Sequence, residues 1–161
     1  MGANPWEKVC VQQRSGADLT ARAEPGLTEV FMSRKRILVV EDNEDNRRIL
    51  LYRLRKIGDF EIVETANGAE AVAAVESQPP DLIFMDLKMP VMDGWEATRR
   101  IRALDAGRTI PIIALTAQAM AGDEQKALAN GCNDYLAKPV VDPTLVREKI
   151  ERLLGVAATK H

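Results

Sequence analysis

The chain has 161 residues, of which 46% are hydrophobic and 29% charged, and its net charge is −2. That length supports one domain with a real core, and the small net charge excludes the broad basic field of a nucleic-acid or membrane-surface binder. No apolar run approaches the roughly 20 residues of a spanning helix, no basic stretch leads into an apolar core as in a secretory signal, and Cys10 and Cys132 form no CxxC pair, which is expected of reduced thiols in a cytoplasmic protein.

Residues 1–33 hold scattered charges, Pro5, Gly16, Pro25 and Gly26, and no sustained period. They are expected to be a disordered extension. Met32 is a plausible alternative start. From residue 36 onward apolar runs alternate with helical patterns. The runs are Ile37–Val40, Phe60–Glu64, Leu82–Met85, Ile110–Leu115 and Tyr135–Ala137. The first helix is predicted over 45–57, with Leu50, Leu54 and Ile57 on one face. The second spans 68–77, with Asn67 as its cap and Glu70 three residues on. It turns Ala71, Val72 and Val75 inward. The third, over 94–106, buries Ala97, Ile101 and Leu104. The fourth, over 119–130, stops at Asn130-Gly131. The last begins at Asp142-Pro143, a cap followed by proline at the first helical position, and buries Val146, Ile150 and Leu153.

Five strands alternating with five helices predict an α/β fold, a doubly wound parallel sheet of flavodoxin-like order 2-1-3-4-5. Continuous apolar runs fit strands covered on both faces. In such sheets ligands bind at the carboxyl ends of the strands. Glu41-Asp42 ends the first strand, Asp86 the third and Lys138-Pro139 the fifth. Three acids and a lysine are therefore predicted to meet. Crowded carboxylates repel, and a hard cation relieves the repulsion. Mg2+, with Mn2+ as an alternative, would take Asp42 and Asp86 directly, Glu41 through water, and a backbone carbonyl just after Asp86. An aspartate can also act as a nucleophile and become an acyl phosphate, with catalysis reduced to positioning and charge neutralisation. Lys138 would supply part of that charge. Thr116, ending the fourth strand, offers a hydroxyl, and the small Ala117 leaves a phosphodonor room to approach.

Glu41-Asp42, Asp86 with Lys88-Met89-Pro90 and Asp93-Gly94, Thr116-Ala117, and Lys138-Pro139 together resemble the receiver domain of two-component response regulators, over residues 34–155. The resemblance implies that Asp86 takes phosphate from a phosphohistidine on a sensor histidine kinase or a histidine phosphotransfer protein. It implies that the Lys88 backbone carbonyl joins Asp42 and Asp86 on the metal. It makes Thr116 the switch hydroxyl and Tyr135 the switch aromatic. Lys88 and Gln118 would flank the path of attacking water and tune dephosphorylation. Such a chain is expected to be a slow self-dephosphorylating acceptor and not a turnover enzyme on external substrates. It would signal to a downstream protein target, without direct nucleic-acid contact or membrane insertion. Residues 156–161 read as a short tail with no room for an output domain. A receiver cut from a hybrid kinase is the alternative within the family. An aspartate-nucleophile phosphatase of the haloacid-dehalogenase type typically has a second aspartate two residues after the first, where this chain has Lys88. A flavodoxin-like cofactor binder needs a Ser-, Thr- or Gly-rich loop after the first strand, where this chain has Asn43-Glu44-Asp45.

Overall fold

The computed structural model describes residues 34–117 and 122–155. The expectations for residues 1–33, residues 156–161 and Gln118 fall outside the described residues. Five strands, β1 (Arg36–Val40), β2 (Glu61–Thr65), β3 (Leu82–Asp86), β4 (Ile112–Thr116) and β5 (Asp134–Ala137), form one sheet. All four pairings are parallel and the spatial order is 2-1-3-4-5, as predicted. The helices between them are α1 (Glu44–Ile57), α2 (Gly68–Ser77), α3 (Gly94–Ala103), α4 (Asp123–Ala129) and α5 (Pro143–Leu154).

Successive side chains of a strand point to opposite faces, so a strand covered on both faces is apolar throughout. Every residue of β3 and β4 is buried. One set of alternate positions, Ile37, Val39, Phe84 and Ile113 among them, packs under α1 and α5 with Leu50, Leu54, Val146 and Ile150. The other set, with Leu38, Ile83, Met85 and Ile112, packs under α2, α3 and α4 with Val75, Ile101 and Ala127. Val72, Leu104 and Leu153, predicted inward, are only half-buried at the edges of these layers.

Helix starts follow their caps. Asn43, Asn67, Asp93 and Asp142 each accept from a backbone N–H of the first turn. Several boundaries shift: α4 runs Asp123–Ala129 within the predicted 119–130, and β2 lies one residue later than predicted. Two further shifts share one reason. α3 ends at Ala103 instead of running to 106, and β4 starts at Ile112 instead of Ile110. The Arg102 guanidinium donates to the carbonyls of Gly107 (2.6 Å) and Ile110 (2.7 Å), so the Ile110 carbonyl is drawn into the turn. Gly107 is folded so tightly that a Cβ there would lie 2.0 Å from the Ile101 carbonyl oxygen. Among the described residues no helix is long and apolar enough to cross a membrane.

Candidate functional site

The parallel order sets the carboxyl ends of β1, β3, β4 and β5 side by side. Asp86 is the last residue of β3, Thr116 the last of β4, and Glu41 and Lys138 directly follow β1 and β5. Backbone bonds fix the rim. The Lys138 N–H donates to the Thr116 carbonyl at 2.7 Å and the Leu87 N–H to the Leu115 carbonyl at 3.2 Å. The start of α3 presses against the same edge: a Cβ on Gly94 would lie 2.1 Å from the Asp86 carbonyl oxygen, so only glycine fits. The Lys138–Pro139 peptide is cis.

Lys138 Nζ donates to Asp86 Oδ1 at 2.9 Å and lies 3.4 Å from Glu41 Oε2. The Lys88 N–H also donates to Asp86 Oδ1, at 3.2 Å. Asp86 and Glu41 are each only 1% exposed. Asp86 Oδ2 and Glu41 Oε2 are buried and accept no hydrogen bond. Buried polar atoms without partners are rare in folded proteins and call for an explanation. Burial and the neighbouring charge of Asp86 push the Glu41 carboxyl up to about 7, against the opposing Asn43 N–H and Lys138. Burial alone would lower the Lys138 ammonium, but its hydrogen bond to Asp86 and the charges of Asp86 and Glu41 outweigh that and raise it.

Glu41, Asp42 and Asp86 each offer an oxygen within 4.8 Å of the others, and Asp42 is exposed to solvent. A hard divalent cation fits this set. It is all oxygen, it leaves room for water on the exposed side, and it would satisfy the two orphaned buried oxygens. Beside it lies a cleft of about 340 Å³ lined by Asp86, Lys88, Thr116, Ala117 and Lys138. Tyr135 is not among the residues lining it. Its ring lies under Lys149 Nζ at 5.6 Å, and the charge of Glu124 raises its hydroxyl.

Three features escaped the sequence reading. Arg47 on α1 donates to the Glu41 carbonyl at 2.9 Å and pairs with Glu64 at 3.1 Å, pinning the acidic turn. Lys126 on α4 also lines the cleft. Val91, in the loop after Asp86, is 87% exposed with φ at 69°, a region that disfavours β-branched residues.

Comparison with known proteins agrees with this geometry. The family model for the response regulator receiver domain matches residues 37–151. Two-component system protein A of Emericella nidulans is 47% identical over 116 residues, which is 71% of this chain but only 17% of that protein. The polar-differentiation response regulator DivK of Brucella anthropi is 39% identical over 123 residues, covering 76% of this chain and 98% of the relative. Among solved structures, the receiver domain of a sensor histidine kinase from Pseudomonas aeruginosa, with a magnesium ion coordinated in its active-site cleft, is 43% identical. Its TM-score is 0.70, and the match covers 77% of this chain and all 100% of that one. The receiver domain of Ssk1 from Saccharomyces cerevisiae, crystallised with the histidine phosphotransfer protein Ypd1, is 37% identical with a TM-score of 0.69, covering 78% and 92%.

Proposed function

This chain belongs to the response regulator receiver domain family, and on that premise we propose that it accepts a phosphoryl group on Asp86 from a partner's phosphohistidine and signals through altered docking or onward transfer. The observation that carries this is Asp86 itself: a buried carboxylate with one oxygen held by Lys138 and the other, Oδ2, without a partner, at the edge of an open cleft.

In the proposed reaction a carboxylate oxygen of Asp86 attacks phosphorus. The bond from phosphorus to the imidazole nitrogen breaks, and its electron pair returns to the ring. The nucleophile is already held beside its cation, so catalysis is mainly alignment and charge neutralisation. Lys138 Nζ, 2.9 Å from Asp86, is placed to neutralise the phosphoryl oxygens that arrive there. Thr116 offers its hydroxyl to one of them. Magnesium, held by Asp42 and Asp86 with Glu41 and the Lys88 carbonyl assisting, supplies further positive charge when bound. The added group brings roughly −1.5 to −2 charge. Movement of Thr116 toward it, followed by rotation of Tyr135, would pass the change to the face formed by α4, β5 and α5. On this reading the chain is a cytoplasmic switch and not a turnover enzyme. A histidine phosphotransfer protein is the favoured donor, given the Ypd1–Ssk1 complex. Likeness to the receiver of a sensor kinase gives a second reading specific support, in which this domain serves a hybrid kinase.

Intact mass after incubation with acetyl phosphate tests the core claim. One added phosphoryl group is expected in wild type with magnesium, and none with chelator or in Asp86→Asn. An adduct that survives in Asp86→Asn would place the acceptor elsewhere.

A further inference from the structure

The cleft beside Asp86 has a wall that neither the acidic cluster nor Lys138 explains. Lys126, on α4, lines it together with the residues at the strand ends. Lys126 also lines a second hollow, of about 370 Å³, with Trp95, Arg99 and Asn130. Trp95 and Lys126 are common to both cavities, so this pair forms the ridge between them.

The lysines of the cleft are not equivalent. Lys138 is committed: its ammonium already holds Asp86 and faces Glu41. Lys88 and Lys126 are both exposed, and the acid–base pairs found among the described residues include neither; Lys88 belongs to the loop after Asp86 already described, and Lys126 is the cation that α4 adds. Asp123 lines the same cleft, and among the described residues no ion pair joins it to Lys126. An uncommitted cation at the mouth of a cleft acts on what arrives there. Its field raises the local concentration of anions and speeds their encounter. Because it is exposed, that effect is screened by salt.

We propose that Lys126 sets the preference of Asp86 among small phosphodonors, drawing a dianionic acyl phosphate into the cleft more strongly than a donor of single net charge. The proposal rests on the reading of Asp86 as the acceptor. With acetyl phosphate, a bond forms from the Asp86 carboxylate oxygen to phosphorus. The bond from phosphorus to the acyl oxygen breaks, and acetate leaves with the electron pair. With phosphoramidate, whose nitrogen already carries its protons, the bond from phosphorus to nitrogen breaks and ammonia leaves. Neither reaction needs a further proton, so the two donors differ chiefly in charge on approach.

The test is the rate of adduct formation, followed by intact mass on the full chain with magnesium, at low ionic strength and subsaturating donor. The series is wild type, Lys126→Arg, Lys126→Gln and Lys126→Glu. Lys126→Arg should keep the wild-type rate with acetyl phosphate, Lys126→Gln should lower it about threefold and Lys126→Glu about tenfold, as expected for one and two units of charge change near a dianion. Phosphoramidate should respond with about half that sensitivity on a logarithmic scale, following its charge. Near 1 M salt, where the Debye length is about 3 Å, the series should collapse. Equal rates for Lys126→Gln and Lys126→Glu, or an equal response of the two donors, would overturn the proposal. Loss of rate in Lys126→Arg would overturn it too, by showing that shape and not charge matters. An adduct in wild type with a flat series removes this inference alone, whereas no adduct in wild type removes the acceptor reading with it.

Discussion

Asp86 and Asp134 are both buried aspartates bonded to a lysine, and they differ in what else surrounds them. Asp134, at the first position of β5, is 7% exposed. Its Oδ1 accepts from Lys149 Nζ at 2.7 Å and from the Tyr135 N–H at 2.8 Å, and its Oδ2 accepts from Arg152. Two cations answer one carboxylate, and neither oxygen is left over. Asp86, at the last position of β3, is 1% exposed, and a single lysine serves both it and Glu41. Two acids answer one cation, and two buried oxygens accept no hydrogen bond, Asp86 Oδ2 and the Glu41 Oε2 that Lys138 approaches only to 3.4 Å. A buried carboxylate whose oxygens are all paired ties β5 to α5. One left short of positive charge is the kind of site that the proposed function requires.

The sharpest way to break this comparison is to make the same change at both positions. Asp134→Asn keeps the shape but leaves Lys149 and Arg152 facing a neutral amide. The Arg152 side chain is 63% exposed and that of Lys149 15%, so solvent takes up part of the stranded charge and the expected loss is about 1–2 kcal/mol of stability. Phosphorylation by acetyl phosphate should still proceed, since Asp134 lies toward the far end of the sheet from the cleft. Chemical denaturation together with intact mass would check both halves. A variant that keeps full stability would show that the cluster at Asp134 is decoration on the surface of α5.

These two aspartates were unequally visible in the sequence. Asp86 announced itself because the strand before it is covered on both faces and reads as an unbroken apolar run, so a polar residue at its end stands out. Glu41-Asp42 and Lys138 were legible for the same reason, and the sheet order followed from the alternation of elements. Asp134 was hidden because its partners lie in α5, 15 and 18 residues on, a distance that no local period reports. Arg47 and Lys126 read as ordinary helix-surface cations until the fold turned them toward Glu41 and the cleft. The early stop of α3 depends on Arg102 reaching carbonyls five and eight residues away, and the left-handed backbone at Val91 contradicts its side chain's own preference. What remained illegible was tertiary in origin.

The acid surplus at the strand ends should also show in pH dependence. Glu41 is held up at about 7 by burial and by Asp86. Below that pH a cation entering the cluster must displace a proton, so magnesium affinity should rise with pH and level off above it. Between about pH 6 and pH 8 the expected gain is up to about tenfold, read from quenching of Trp95, which lines the cleft. The metal-free protein should slope the other way. Its folded state holds the Glu41 proton more tightly than the unfolded chain does. The stabilisation is therefore complete below the ordinary glutamate range and is lost as pH rises through about 7. Glu41→Gln should flatten both curves. Flat curves in wild type would mean that Glu41 is already neutralised by Lys138, and the cluster would carry no surplus.

The smallest expected effect has the opposite sign to that expected at Asp134. Asp86→Asn removes one of the two acids competing for Lys138 and leaves the lysine paired with Glu41 at 3.4 Å. In chelator, stability should rise by about 0.5–1 kcal/mol, the gain expected when a site strained for function is relaxed. After burial, the charge of Asp86 does most to raise the Glu41 carboxyl, so in the same variant the pH midpoint of metal-free stability should move down, toward the ordinary glutamate range. Adding magnesium should then stabilise wild type and leave Asp86→Asn nearly unchanged, because the variant has lost a ligand as well as a repulsion. If Asp86→Asn lowers stability as Asp134→Asn does, Asp86 is a structural partner of Lys138, and the unpaired oxygens at the sheet edge reflect side-chain placement instead of a surplus of charge.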